Sequence, residues 1–261
     1  MAHPLIWSIT TEQSASSTSD LAKQAAEKGA PPGSGFLAIK QTAGRGRQGR
    51  HWSSQKGGMY LSVLLRPQAE KKHWFALSFA ASLAVLDTVR KQLEPYFDDQ
   101  NMPQIGLKWP NDVIMAGGKI AGILLETEGQ ALIVGSGINI ATISTKNLKV
   151  SNDYPVIAPV ALADIWPQTV EGLPTPHELA SCYMSRLAYW YGKFDRDGFV
   201  PIRNAWLGNA LFLGKALSVR RGTNKISGVF LDLSMDGALL LLDDSGQTHH
   251  ITTGDVQLLD N

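Results

Sequence analysis

The sequence is defined first by what it has little of. It holds one cysteine, Cys182, in 261 residues. A single thiol excludes an internal disulfide, and no C-x-x-C spacing offers a zinc site. Such sparse cysteine usage fits a reducing, cytoplasmic setting. Neither sign of charge is in excess: 24 Lys and Arg face 23 Asp and Glu, a formal net charge of +1. A chain so balanced carries no global field for nucleic acid, so any basic patch must be local. Long hydrophobic runs are missing too. The stretch "FALSFAASLAVL" (75–86) is too short to span a bilayer and is interrupted by serines. The N-terminal "MAHPLIWSITTEQ" lacks the basic and apolar regions of a secretory signal. Internal repeats and low-complexity tracts are absent. What is present is an ordinary globular composition, 44% hydrophobic and 18% charged. Its length suits one sizeable core with room for a small second domain.

Local patterns give an outline. "TSDLAKQAAEK" (18–28) predicts a helix capped by Thr18 or Ser19 and ended by Gly29, Pro31 and Pro32. Strands are expected at 35–40 and 59–67, the second stopped by Pro67. Across 71–94, Phe75, Phe79, Leu83, Leu86 and Val89 recur at helical spacing and define one apolar face. Short strands follow at 105–109, 112–115, 119–128 and 131–140, with a hairpin turn at Gly117 and Gly118. Residues 145–175 are Pro-rich and irregular, with a short helix near 159–166; helices then occupy 176–193 and 199–207. From Leu213 short strands alternate with Gly and Asp turns, the pattern of a small barrel. The order of elements predicts an α+β fold with a mixed or antiparallel sheet. A boundary near Gly208 divides it into domains 1–208 and 209–261.

Two stretches carry chemistry. In "QTAGRGRQGRHW" (41–52), Gly44, Gly46 and Gly49 have the G-x-G-x-x-G spacing of a dinucleotide-binding turn. That reading needs a helix opening within the glycines and an acid about 20 residues on. Gly57 and Gly58 break any such helix, and no Asp or Glu lies between Gly49 and Glu70. Arg45, Arg47 and Arg50 with Trp52 could grip phosphates and stack a base, but no second basic cluster of equal density exists. A solvated turn would spend costly glycines for nothing. A small-anion site fits best: glycines admit backbone N–H groups, and arginines supply forked donors. Such a loop is suited to close on its ligand. In "KWPNDVIMAGGKIAGILLE" (108–126), Pro110 keeps Trp109 out of the helical region. Asn111 and Asp112 mark a strand junction, and hairpin pairing returns Lys119 towards Asp112.

"GRGRQGRHW", "KWPND" and "KIAGI", in this order and spacing, resemble the catalytic domain of biotin protein ligases, the biotin–[acetyl-CoA-carboxylase] ligases. The tail "ISGVFLDLSMDGALLL" resembles that family's SH3-like C-terminal domain, so the likeness spans nearly the whole chain. The resemblance implies a class II synthetase-like biotin/lipoyl-ligase catalytic domain followed by a small SH3-like β-barrel. It implies that biotin and ATP give biotinyl-5′-AMP and pyrophosphate, and that a lysine of biotin carboxyl carrier protein then takes the biotin. Carried over residue by residue, it places Ser17, Thr18, Ser19, Gln41, Arg45, Gly46, Arg47 and Lys119 at biotin. Arg50, Trp52, Asn111 and Lys119 fall at the nucleotide, with Trp52 covering the adenine. Lys119, Arg47, Asp112 and Lys108 are the catalytic candidates, Asp112 orienting or deprotonating the acceptor amine. Mg²⁺ is expected with ATP, held by phosphates rather than by a dedicated protein site.

The chain departs from the pattern at Ser16, where the family often has an acid, and at Ser19, where it has Asn; Ser17 and Thr18 can also be read as plain helix caps. The catalytic pattern begins almost at Met1, so no N-terminal winged helix-turn-helix, no repressor role and no DNA partner are expected. No membrane partner is expected either, and a homodimer formed edge to edge between sheets is compatible with the family. The alternative is a lipoate or octanoate protein ligase of the same fold. Octanoyltransferases use a thiol, whereas Cys182, in the helical "ELASCYMSRLAYWY", reads as a core residue. Tyr183, Tyr189, Trp190 and Tyr191 read as packing. His249 and His250, adjacent on a strand, point to opposite faces and do not read as a metal pair. "VRRGTNK" (219–225) reads as a solvated turn.

Overall fold

A computed structural model describes residues 5–142, 157–221 and 224–259. The expectations for 145–156 and for the tip of the 219–225 turn lie outside the described residues. Seven strands form the larger sheet: β1 (Ser8–Glu12), β2 (Ser34–Ala38), β3 (Gly58–Leu65), β4 (Ile105–Lys108), β5 (Asp112–Met115), β6 (Gly118–Glu128) and β7 (Ala131–Asn139). Their order is β1-β2-β3-β7-β6-β5-β4, and only β1 and β2 run parallel. The sheet is therefore mixed, as the order of elements predicts. β1 was not foreseen. It is an edge strand, "SITTE", largely exposed, and it carries none of the apolar alternation that marks a half-buried strand.

Helices cover both faces. α1 (Thr18–Glu27) packs on β2, β3 and β7. α2 (Ala76–Leu93), α3 (Pro176–Asp197) and α4 (Phe199–Leu207) pack together, with α2 and α3 against the sheet. Adjacent residues of β7 show that these are opposite faces: Gly135 approaches Ser19 of α1, whereas the Ser136 hydroxyl hydrogen-bonds the Tyr183 hydroxyl of α3 at 2.7 Å. The N-cap of α1 is Ser17 rather than Thr18 or Ser19; its hydroxyl accepts from the Ser19 N–H. α2 begins at Ala76, after a 3-10 turn at Lys71–His73, and is buried on nearly every side rather than on one face. Ala80, Ala81 and Ala84 are small enough for α2 to be enclosed by its neighbours. α3 opens with a Thr175–Glu178 capping box and Pro176, and runs on to Asp197. A 3-10 turn at Leu162–Asp164 stands where a short helix was expected.

The β5–β6 turn is Ala116–Gly117, with φ of 48° and 79°; Gly118 is already in β6, paired with Met115. Two successive positive φ values suit the twist of a two-residue hairpin. Cys182 is half-buried rather than a core thiol. Tyr189 is exposed, while Tyr183, Trp190 and Tyr191 are packed. His249 and His250 pair separately with Asp243 and Asp236. No helix among the described residues is long and apolar enough to cross a membrane.

The C-terminal strands are β8 (Ala216–Arg221), β9 (Asn224–Leu233), β10 (Leu239–Leu242), β11 (Thr248–Ile251) and β12 (Asp255–Leu258). They form an antiparallel sheet in the order β11-β10-β9-β8-β12. Leu217, Phe230, Leu233 and Leu239 join the same buried cluster as Phe79 and Trp206. Gly237, at φ 78°, ties the two sheets together. A side chain there would meet Phe75 at 2.7 Å, and its carbonyl accepts from Trp109 Nε1 at 3.1 Å. Trp206 is 1% exposed and donates from Nε1 to Ser82 Oγ at 3.1 Å. Trp206→Ala is expected to lower unfolding free energy by about 3–5 kcal/mol, read as a fall in the urea midpoint.

Candidate active site

The site begins with a strand that runs out of side chains. On the α1 face of β7 the sequence reads Ala131, Ile133, Gly135, Gly137; on the other face it reads Leu132, Val134, Ser136, Ile138. Ala131 and Ile133 pack with Ala22 of α1. Gly135 lies beside Ser19 in the first turn of α1, and Gly137 lies beyond it, paired with Gly122 of β6. The result is a slot floored by backbone, with the N-terminal end of α1 at its edge, an end that favours negative charge. The Trp52 indole lies on this floor. A Cβ on Gly137 would stand 2.7 Å from the ring and one on Gly122 3.1 Å from it, so close approach requires glycine.

Hydroxyls and an amide line the α1 edge. Gln41 Oε1 accepts from the Thr18 N–H at 2.8 Å, and Gln41 Nε2 donates to Ser54 Oγ at 2.7 Å. Thr18 Oγ1 and Ser19 Oγ share Ser62 Oγ at 2.8 and 3.2 Å. Ser17, Thr18 and Ser19 are all buried.

The glycine–arginine stretch is a tight hairpin, not a helix entry. Arg45 and His51 form an antiparallel bridge, and the Gly46 N–H donates to Arg50 O at 2.7 Å. Gln48 (φ 57°) and Gly49 (φ 71°) make the tip. A side chain on Gly44 would collide with Ser54 Oγ and Trp52 O, each at 2.5 Å. Two of the three glycines are thus required by packing and by turn geometry. This narrows the expectation that the glycines serve to admit backbone N–H groups to an anion.

Each arginine has its own partners. Arg45 donates to Asp20 at 2.7 Å and to Glu126 at 3.4 Å, and Glu126 also pairs with Lys23 at 2.6 Å. Asp20 accepts from Ser16 Oγ at 2.8 Å, so a carboxylate sits close to the position where the family's acid is replaced. Arg47 donates to Asn111 Oδ1 at 3.3 Å and to Thr253 Oγ1 at 3.2 Å. Arg50 pairs with Asp255 of β12 at 2.8 Å.

Across the slot, Asp112 stands between Lys119 at 2.6 Å and Lys108 at 3.9 Å. Lys119 Nζ also lies 5.2 Å from the centre of the Trp52 indole, a cation–π contact. Asn111 is fixed by bonds from Nδ2 to Ile123 O and from the Ile123 N–H to Asn111 O. Burial pulls both the Lys108 ammonium and the Arg47 guanidinium below their ordinary values, with Asp112 opposing. Arg47, Arg50, Lys108 and Lys119 outnumber Asp112 and Asp255, so the cluster favours an anion.

The residues singled out from the sequence therefore converge: Ser17 to Ser19, Gln41, the Arg45–Trp52 hairpin, Lys108, Asn111, Asp112 and Lys119 surround one slot. Several others were missed. Gly135 and Gly137, in "VGSGIN", carried a readable signal, because glycine within a strand marks close approach. Ser62, Asp20, Glu126, Thr253 and Asp255 carried none; chain folding alone brings them here. Among the described residues, no group of three or more His, Cys, Asp or Glu could hold a metal ion.

Residues 12–141 match the family model described as "Biotin/lipoate A/B protein ligase family", and 212–259 match "Biotin protein ligase C terminal domain". A biotin–[acetyl-CoA-carboxylase] ligase from Paracoccus denitrificans is 36% identical over 217 residues, covering 81% of this chain and 85% of that protein. The chain belongs to the biotin protein ligase family. A second member of that family, the biotin–[acetyl-CoA-carboxylase] ligase of Mycobacterium tuberculosis, is 30% identical over 94% of this chain and 86% of its own length. The solved biotin protein ligase of Aquifex aeolicus, in complex with biotin and ATP, superposes with a TM-score of 0.77 at 27% identity. That match covers 97% of this chain and 99% of the other.

The Arg45 contact has a pH signature. The Arg45 hydrogen bond holds the Asp20 carboxyl below its ordinary value. Burial alone would raise Glu126, but the hydrogen bond from Lys23 and the charges nearby leave it lowered too. A depressed folded pKa adds stability above the unfolded value, and that stability is lost as pH falls through the folded one. Asp20→Asn is accordingly expected to cost roughly 0.2–1 kcal/mol at neutral pH, as exposed pairs do. The difference from wild type should shrink towards zero in acid, measured by urea unfolding across the acid range.

Proposed function

We propose that this protein is an ATP-dependent biotin ligase that modifies the biotin carboxyl carrier protein of acetyl-CoA carboxylase. The observation that carries this reading is the glycine-floored slot between the arginine hairpin and the Asp112–Lys119 pair. It offers a floor free of side chains beside a cationic cluster, which suits a ring system bearing a carboxylate. The biotin-specific C-terminal match and the relatives' names support biotin over the other acyl groups of the fold.

In the first step a biotin carboxylate oxygen attacks the α-phosphorus of ATP. A carboxyl–phosphate bond forms, the α–β phosphoanhydride bond breaks, and pyrophosphate leaves with its electron pair. Positioning and charge neutralisation are the protein's task here. Lys119 and Arg47 stabilise the carboxylate and the developing negative charge, with Lys108 adding to the field. Thr18, Ser19, Gln41, Arg45 and Gly46 hold the biotin end, and Ser17 joins them while capping the helix that presents Thr18 and Ser19. Arg50, Trp52 and Asn111 serve the nucleotide. ATP arrives as its Mg²⁺ complex, the ion being held by phosphates.

In the second step the carrier lysine's amine attacks the acyl carbon. An amide bond forms, the acyl–oxygen bond breaks, and AMP leaves as the amine loses a proton. Asp112 is positioned to orient that amine. The segment before Gly208 supplies the slot, and the segment after it supplies two of the hairpin's anchors, Thr253 and Asp255. A cytoplasmic location fits the lone cysteine.

Cys182 argues against the thiol-dependent octanoyltransferase alternative. It lies on α3 beside Tyr183, behind the sheet from the slot. The test is pyrophosphate release from ATP with biotin, lipoate or octanoate in parallel. Release with biotin alone is expected, and release only with lipoate or octanoate would overturn the assignment. Lys119→Ala should lower biotin-dependent release about 10²–10³-fold, in the range for loss of one charge-stabilising donor. Asp112→Asn should slow transfer to the carrier more than adenylate formation, measured as separate single-turnover half-reactions.

A further inference from the structure

The glycine slot already holds a side chain. The Trp52 indole lies flat across β6 and β7, where a Cβ on Gly137 would touch Cε2 and Nε1 at 2.7 Å and one on Gly122 would touch Cζ3 at 3.1 Å. Three features taken together set this placement apart from ordinary packing. Trp52 Nε1, like that of Trp166, is buried without a hydrogen-bond partner, whereas the indole N–H groups of Trp74, Trp109, Trp190 and Trp206 each donate to an oxygen. An N–H removed from water and given no acceptor weakens its own placement. The ring also covers Lys119 Nζ, the ammonium paired with Asp112. Finally, the backbone of Trp52 is pinned: its N–H donates to Gly44 O at 2.9 Å, and its carbonyl accepts from Ser54 Oγ at 3.1 Å. The side chain can therefore turn out of the slot while the hairpin stays in register.

We propose that Trp52 gates the slot against its own first ligand, holding the glycine floor until a compact ring system bearing a carboxylate displaces it. This rests on the reading that the slot takes biotin. Displacement exchanges an unpaired indole N–H for solvent or a new partner, and uncovers Lys119 for the incoming carboxylate. A protein whose competent state is only fractionally populated binds more weakly by that fraction. Apparent biotin affinity thus contains the cost of opening the gate, and removing the ring removes that cost.

The experiment titrates biotin alone into the full-length wild type, Trp52→Ala and Trp52→Phe by calorimetry, with binding rates from stopped flow. If the competent state is populated about one-tenth of the time, Trp52→Ala binds biotin about tenfold more tightly than wild type. Trp52→Phe, which lacks the unpaired N–H but keeps a ring, falls between the two. The observed binding rate levels off with biotin concentration in the wild type and rises linearly in Trp52→Ala. The KM for ATP in pyrophosphate release rises in both variants, opposite in sign to the biotin effect, which general damage to the fold would not produce. Biotin affinity unchanged or weakened in both variants overturns the gate while leaving the ligase reading intact. A wild type that binds no biotin overturns both.

Discussion

The α1 face of β7 loses its side chains halfway along the strand, and the rest of the site follows from that change. Glycine within a strand costs about 0.5–1 kcal/mol relative to alanine. The opposite face repays it. Leu132, Val134 and Ile138 are buried against the helical layer, and full burial of such a side chain contributes about 1.5–3 kcal/mol. One strand therefore anchors the core with one set of residues and leaves a bare backbone floor with the other. α1 ends where the bare floor begins, so its N-terminal end, its serines and its threonine all meet the slot.

The arginine hairpin is held over that floor by acids from three different places. Arg45 reaches α1 and β6, and Arg50 reaches β12. Arg47, between them, bonds only to neutral oxygens, those of Asn111 and Thr253, among its hydrogen bonds. The flanking arginines are each paired with an acid, while the central one, held by neutral oxygens, keeps more of its charge available for a ligand. Burial lowers the Arg47 guanidinium, with the Asp112 and Asp255 carboxylates opposing. The hairpin is fixed by acids at its sides and by neutral oxygens at its centre.

How much of this was legible depends on how far apart in sequence the cooperating residues lie. The two motif stretches that carry the family likeness, the main helices and the change to short strands after Leu213 are local patterns, legible without the fold. β1 is an exposed edge strand and has no such pattern. The all-round burial of α2 comes from α3 and α4, about 100 residues on, and periodicity alone reports only one face. The partners of Arg45 lie 25 and 81 residues away, and no spacing rule predicts them. The glycines of "GRGRQG" were visible as glycines, but their separate jobs were not. Gly44 admits Ser54 and Trp52, while Gly49 takes a positive φ, and only coordinates distinguish the two.

The contacts from Arg47 to Thr253 and from Arg50 to Asp255 join residues 206 and 205 positions apart. On the ribosome the hairpin emerges long before the strand that steadies it. An early-emerging chain can form α1 and the first strands, yet its hairpin lacks this support until the C-terminal sheet has been made and docked. Vectorial synthesis therefore assembles the slot first and secures its cover last. The contacts that steady the hairpin are thus the last of the site's contacts to become available.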